Sequence, residues 1–164
     1  MKSKETAKIG LREKSREKVG KILNHVLADE VHLSLATKDY HWNVTGSNFH
    51  GLHHLFEEHY EALDKHIDAV AERARAIGVR AEGSWAELTH SARLDAPPGA
   101  GMPGMRMVAA ALKLHEELIV HLRGDIEACT ERYDDAGTAD FITGLMEFHE
   151  TSAWMLRALL EKRD

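Results

Sequence analysis

All three prolines of this 164-residue chain lie between positions 97 and 103, in a stretch that also holds Gly99, Gly101 and Gly104. Proline breaks helices, and the rest of the chain contains none, so everything outside this stretch is free to be helical. On both sides of the stretch, apolar residues recur three and four positions apart, which is the period of an amphipathic helix. The pattern predicts an all-α protein with one long non-helical connection.

Four long helices and one short helix follow from the apolar period and from the helix breakers. Ser15 is the expected N-cap of the first helix, Gly46 and Gly78 bracket the second, and Gly137 opens the fourth. The predicted ranges are 15–44, 47–77, 84–92, 105–134 and 137–160. The short helix lies in the long connection between the second and third long helices, and such a crossover favours a ferritin-like four-helix bundle over an up-and-down bundle.

Charge is divided unevenly along the chain. Residues 1–21 hold eight lysines or arginines against three acids, whereas the remaining residues hold 13 basic and 24 acidic side chains. We therefore expect a basic N-terminal extension at 1–14 and one bundle domain at 15–164. An acidic body suits a protein that attracts cations.

The chain has one cysteine, Cys129, which cannot form an internal disulfide. It has no signal-like apolar segment at its start, and no apolar run approaches the roughly 20 residues needed to span a bilayer. We expect a cytoplasmic protein that does not insert into membranes.

One face of the second helix carries side chains that can bind metal. At about 100° per residue, with His53 taken as zero, Glu57 falls at about 40°, Asp68 at about 60° and Glu72 at about 100°. His41, near the end of the first helix, is a fifth candidate ligand. Either pair alone, His53 with Glu57 or Asp68 with Glu72, has an ordinary spacing for a solvated helix. The five together predict a metal site.

These residues cannot meet within one chain. At about 1.5 Å per residue, Glu57 and Asp68 are about 16 Å apart along the axis, and His53 and Glu72 about 28 Å, whereas ligands lie about 2 Å from a metal. Both pairs are centred between residues 62 and 63. Two copies of the helix crossing antiparallel there would bring Glu57 opposite the partner's Asp68, and His53 opposite the partner's Glu72. The spacing predicts paired metal sites shared between subunits.

A second metal centre, inside one bundle, is not expected. A di-iron centre of that kind uses Glu-x-x-His pairs on two helices, and the chain has this spacing only at Glu87 and His90, in the short helix. His115 and His149 interrupt apolar stripes, and we interpret them as core histidines rather than as ligands.

The run Asp-Tyr-His-Trp-Asn-Val-Thr-Gly at 39–46 resembles the signature of the Dps family, the DNA-binding proteins from starved cells. Further matches are Leu-His at 52–53, His-Ile-Asp at 66–68, Ala-Glu-Arg at 71–73, Thr-Ala-Asp-Phe at 138–141 and Ala-Trp-Met-Leu at 153–156. The resemblance spans residues 20–162. It implies a hollow homododecamer that oxidises ferrous iron at two-fold interfaces, preferentially with hydrogen peroxide, and stores ferric mineral in its cavity.

The resemblance also implies roles for individual residues. His41, His53 and Glu57 would come from one subunit, with Asp68 and Glu72 from its neighbour, forming an intersubunit di-iron ferroxidase site. Many family members have aspartate at the position of Glu57.

Trp42 is expected near this centre, where its indole could donate an electron to a stray oxidising intermediate. Asp140 matches a position in the acidic three-fold channels through which iron enters, and Asp134 and Asp135 could add to that field. The simpler interpretation of Asp140 is an acid that favours the dipole at the start of the fourth helix.

Two questions stay open at this stage. His50, His54 and Glu61 project within the arc of the ligands and could be supporting groups, an accessory metal site or solvated side chains. The basic tail could be a solvated extension or an arm that contacts DNA phosphates. The rival to an iron-oxidising enzyme is therefore a DNA-compacting protein whose metal site braces the dimer.

Overall fold

Helices make up most of the backbone in a computed structural model that describes residues 7–95 and 101–161. The helices are α1 (Glu13–Asn43), α2 (Phe49–Ala76), α3 (Trp85–Ser91), α4 (Gly104–Glu127) and α5 (Ala136–Leu160), with a π-helical turn (Ala128–Arg132) after α4. The described ranges contain no strand. The predicted all-α bundle with a short extra helix between its second and third long helices is confirmed.

The long helices pack as two antiparallel pairs. In the first pair, Ser34 of α1 donates to Asp64 of α2 at 2.8 Å, and His41 meets His53 nearer the connecting loop. In the second pair, His115 of α4 meets His149 of α5. Short loops force such antiparallel contacts, and the apolar stripes of both pairs then close one continuous core.

Two predicted helix ends differ from the structure. α1 begins at Glu13, so Ser15 lies in its first turn and is not the N-cap. The third long helix was expected to run regularly to 134, but α-helical geometry ends at Glu127, and Asp134 has a left-handed φ of 58°. Apolar spacing alone does not distinguish an α-helical turn from a π-helical one, because both keep side chains facing the core.

The crossover between α2 and α4 is held against α1. Asn24 accepts from the backbone N–H of Glu82 at 3.0 Å and donates to the carbonyl of Arg80 at 3.1 Å. α3 begins with a capping box between Ser84 and Glu87. Arg80 and Ser84 both donate to the Glu87 carboxylate, and these bonds lower its pKa to about 2. The Glu-x-x-His glutamate thus serves as a cap.

No helix in the two described ranges is long and apolar enough to cross a membrane.

Candidate metal centre

His41 and His53 form a stacked pair where the end of α1 meets the start of α2. Their ring centroids are 3.8 Å apart, with an interplanar angle of 19°. Nδ1 of His41 lies 2.8 Å from the carbonyl oxygen of His53, and Nδ1 of His53 lies 2.9 Å from the carbonyl oxygen of His41. Each ring is therefore fixed by the backbone of the other residue.

These reciprocal bonds determine the tautomer of both imidazoles. A carbonyl oxygen can only accept, so Nδ1 carries the proton in each ring, and Nε2 of the neutral ring keeps its lone pair. Metal-binding histidines are commonly oriented in this way, with one nitrogen bonded to a backbone carbonyl and the other on the metal. The arrangement therefore leaves Nε2 of each ring free of these backbone bonds.

Aromatic neighbours hold the pair in place. Phe49 stacks on His53 with centroids 5.0 Å apart, and Tyr60 meets the His41 ring edge-on at 5.2 Å. His41 is buried and His53 half-buried, whereas the adjacent Trp42 is 64% exposed and Phe49 is 44% exposed. An exposed aromatic surface therefore borders the pair.

Glu57 lies one helical turn after His53 and is half-buried. One of its carboxylate oxygens, Oε2, is 3.2 Å from Nδ1 of His54. His54 in turn meets His50 edge-on, with centroids 4.5 Å apart. Of the histidines left open by the sequence, His54 thus contacts a candidate ligand directly, and His50 contacts His54.

Asp68 and Glu72 are exposed further along α2. A continuous α-helix separates them from His53 and Glu57, so the distances of about 16 Å and about 28 Å along the axis hold in one protomer. The five predicted ligands fall into two separate groups, as the sequence spacing requires. Within one protomer, the stacked His41 and His53 have Glu57 one turn further along α2, and Asp68 and Glu72 lie well beyond them.

The three candidate channel residues occupy different environments at the start of α5. Asp134 and Asp140 are exposed. Asp135 is buried, accepts from the backbone N–H and hydroxyl of Thr138 at 2.9 and 2.6 Å, and lies 3.3 Å from Arg73. Its carboxylate is engaged in capping α5, so it has less charge to offer an ion than its two neighbours.

The interior holds a group of polar residues that sequence reasoning did not assemble. Glu30 of α1, His59 and His66 of α2, His115 of α4 and His149 of α5 meet between the four long helices, and we call them the core cluster. The expectation of core histidines at 115 and 149 described their burial but not their neighbours. The available signal was His59 and His66, seven residues apart on the inward face of α2.

Comparisons with known proteins agree on one family. Residues 20–164 match the family described as a ferritin-like domain. The chain is 36% identical to DNA protection during starvation protein 2 of Bacillus anthracis, over 89% of this chain and 99% of that one. It is 45% identical to a low temperature-induced protein of Nostoc sp., over 93% of this chain and 86% of that one.

A solved structure extends the comparison to the backbone. The Dps protein from Vibrio cholerae O1, described as a member of a broad superfamily of ferritin-like diiron-carboxylate proteins, superposes with a TM-score of 0.89 at 29% identity. The superposition covers 95% of this chain and 97% of that one.

Proposed function

The chain belongs to the Dps family of ferritin-like proteins, and from that premise we propose that it oxidises ferrous iron at sites shared between subunits and stores the ferric product. In this proposal, His41, His53 and Glu57 of one subunit and Asp68 and Glu72 of its neighbour bind the iron. The assembly is a hollow homododecamer in the cytoplasm, and it protects DNA by removing iron and peroxide together.

The reciprocal bonding of His41 and His53 carries the proposal. It leaves one Nε2 lone pair on each of two stacked imidazoles, and the Glu57 carboxylate lies one helical turn after His53, so the three offer a mixed nitrogen and oxygen set suited to iron. Trp42 and Phe49 border this set as exposed apolar surface, which is typical of a surface that packs against another chain. Two copies of α2 crossing near residue 62 would cover that surface and supply the missing carboxylates.

The chemistry follows from holding two ferrous ions together. Hydrogen peroxide takes one electron from each ion and two hydrogen ions from the solution, its O–O bond breaks, and two water molecules form beside two ferric ions. A single ferrous ion would deliver only one electron and release a hydroxyl radical. The carboxylates stabilise the extra charge on the ferric products as hard oxygen ligands.

Removing the partner's contribution tests this site. We expect Asp68→Ala with Glu72→Ala to slow peroxide-driven ferrous oxidation by at least about tenfold. Removing a residue that only supports a metal ligand lowers metal affinity or activity by about 10–100-fold, and in this proposal Asp68 and Glu72 are ligands themselves. Both side chains are exposed in the protomer, so the fold should survive. The rate is measured by stopped-flow absorbance of the ferric product, with oxygen as a second oxidant.

The matched control is Glu127→Ala with Glu131→Ala, which removes two exposed carboxylates at the same spacing from another part of the chain. Gel filtration establishes that each variant assembles like the wild type. Unchanged oxidation by the Asp68 and Glu72 variant in an intact assembly would refute the site. So would a crystal structure in which two copies of α2 lie far apart near residue 62.

A DNA-compacting role is the second candidate, and the exposure of Lys8, Arg12, Lys14, Lys18 and Lys21 favours it. Lys2 and Lys4 lie outside the described residues. Arg16 is buried and donates to the carbonyl of Ala7 at 2.9 Å, so the extension packs against the bundle from residue 7 onward. If the tail binds phosphates, deleting 1–14 abolishes DNA retention in a low-salt gel, and deleting only 1–6 weakens it.

A further inference from the structure

The core cluster is enclosed by all four long helices. Glu30, His115 and His149 are fully buried, His59 is 5% exposed, and His66 is half-buried. Taking His53 as zero on α2, His59 and His66 fall at about 240° and about 220°, opposite the face of Glu57, Asp68 and Glu72. The cluster is therefore separate from the intersubunit site and belongs to a single protomer.

The geometry of the core cluster suits a bound cation. Glu30, His66 and His149 each offer one ligand atom, and these three atoms lie within 4.8 Å of one another. Across the described residues, no other three Asp, Glu, His or Cys side chains converge in this way. The ligand atoms of a tetrahedral zinc site lie about 3.3–3.5 Å apart, so an inward movement of about 1 Å would complete the site.

Hydrogen bonds account for only part of the core cluster. Nε2 of His149 lies 3.0 Å from Oε1 of Glu30, and Nδ1 of His149 lies 2.9 Å from Nδ1 of His115. Since a carboxylate accepts, Nε2 of His149 carries its proton, and its Nδ1 accepts the N–H of His115. Nε2 of His115 is then unprotonated, and its lone pair lies in the protein interior.

Several other atoms of the core cluster are equally unpaired. Oε2 of Glu30, Nδ1 of His66, Nε2 of His115 and both ring nitrogens of His59 are buried without a hydrogen-bond partner in the described chain. Buried polar atoms are nearly always paired, because an unpaired one has lost its water without compensation. Two of these atoms belong to Glu30 and His66, whose ligand atoms converge with that of His149, so a bound ion would be a partner for this part of the core cluster.

The unneutralised charge of Glu30 indicates that this partner is a cation. No lysine or arginine of the described ranges forms an ion pair with Glu30, whose only such neighbour is His149. The other members of the core cluster are imidazoles, which bring nitrogen donors to this carboxylate and no fixed positive charge. A buried carboxylate among neutral nitrogen donors calls for a cation.

We propose that the core cluster binds one divalent transition-metal ion, of the Zn²⁺ or Fe²⁺ class, through Glu30, His66 and His149. His149 binds through Nε2, the nitrogen that already faces Glu30. The His149 proton then lies on its Nδ1, which donates a hydrogen bond to Nδ1 of His115. The His115 proton lies on its own Nε2, so each ring still carries one proton. His115 thereby orients a metal ligand without binding the metal.

The donor atoms of the core cluster favour a transition-metal ion, and they favour one ion over two. Nitrogen donors favour Zn²⁺, Fe²⁺ or Co²⁺ over Mg²⁺ and Ca²⁺, which take oxygen ligands. A bundle di-iron centre draws four glutamates and two histidines from its helices, whereas this cluster has one glutamate. The site is mononuclear, and by joining α1, α2 and α5 it braces the bundle from within.

Metal titration of the assembled protein tests the proposal, in the Asp68→Ala, Glu72→Ala background so that surface binding is reduced. After chelation and dialysis, we expect Co²⁺ to bind at one ion per chain with the visible absorption of a four-coordinate site, and Zn²⁺ to raise the unfolding temperature. Glu30→Gln and His149→Gln should each abolish that ion and that rise. His121→Gln, a histidine of α4 outside the core cluster, should retain both.

Anomalous scattering from crystals locates the metal without any measurement of activity. Crystals of the zinc-soaked wild-type assembly should show an anomalous peak between Glu30 and His149. A map with only water there would overturn the proposal, as would an unchanged ion count in a folded Glu30→Gln variant. If circular dichroism shows that the Glu30→Gln variant is unfolded, the anomalous map of the wild type alone decides whether the metal is bound. Loss of ferrous oxidation in the Asp68 and Glu72 variant bears on the surface site and leaves this outcome unaffected.

Discussion

Arg93 joins three parts of the fold, and its removal should destabilise the bundle more than the loss of any exposed ion pair. Its backbone N–H and Nε donate to the two carboxylate oxygens of Asp29 in α1, at 2.6 and 2.8 Å. Its Nη1 donates to both carboxylate oxygens of Asp125 in α4, at 2.9 and 3.1 Å. Asp29 is fully buried, Asp125 is 8% exposed and the Arg93 side chain is 21% exposed.

Arg93→Met keeps most of the side-chain volume and removes the charge, leaving two buried carboxylates without their cation. Breaking a buried ion pair from one side costs about 3–5 kcal/mol, and the partial exposure of Arg93 indicates the lower end, about 3 kcal/mol. At about 2–4 °C per kcal/mol for a domain of this size, the unfolding temperature should fall by about 6–12 °C.

The loss should also depend on pH. Burial raises the pKa of Asp125 and the Arg93 charge lowers it, so removing Arg93 raises it further. A carboxyl group whose pKa is raised by folding favours the folded state when protonated. The difference between Arg93→Met and the wild type should therefore be largest at neutral pH and shrink as the pH falls towards 5.

Thermal unfolding followed by circular dichroism, at one protein concentration and several pH values, measures both effects. Lys113→Met is the control, because it removes exposed ion pairs with Asp95 and Glu117 and should change the unfolding temperature little. Adding Asp29→Asn and Asp125→Asn to Arg93→Met should restore part of the loss. A variant within about 2 °C of the wild type, or no recovery in the triple variant, would show that Arg93 does not neutralise these carboxylates.

Three further substitutions test packing and burial. A Cβ at Gly20 would lie 2.5–2.8 Å from side-chain atoms of Val79, so Gly20→Ala should lower the urea midpoint. Gly124→Ala meets nothing within 4 Å in a helix and should raise stability by up to about 1 kcal/mol. Burial, together with the charges of Asp135 and Asp125, raises the pKa of Cys129 from 9.0 to about 12. The unfolded thiol therefore ionises first as the pH rises through 9, and stability should fall with pH more steeply in the wild type than in Cys129→Ala.

The helices and the outward face of α2 could be predicted because both depend on short-range periodicity. Each residue turns by about 100°, so the relation of His53 to Glu57 holds in any α-helix, whatever surrounds it. The same spacing keeps Asp68 and Glu72 far from His53 and Glu57 within one chain. The reciprocal bonds between His41 and His53 were not predictable, because they depend on how closely the end of α1 approaches α2.

The capping role of Asp135 also depended on more than spacing. An aspartate before a helix is a common N-cap, but the chain offers Asp134 and Asp135 in succession. The π-helical turn and the left-handed backbone at Asp134 decide which of the two turns inward to Thr138 and Arg73. Sequence reasoning therefore grouped three aspartates that the fold places in different environments.

By itself, the sequence determined the helical class, the crossover and a face of α2 whose histidine and carboxylates are too far apart to meet within one chain, because each depends on local spacing. Only the tertiary structure decided that Glu30 and His149, 119 positions apart, would meet His66 and His115 in the interior. These residues come from four helices, and their separation along the chain carries no information about their distance in space. Their meeting depends on the rotation of each helix about its axis, which packing of the whole apolar core sets.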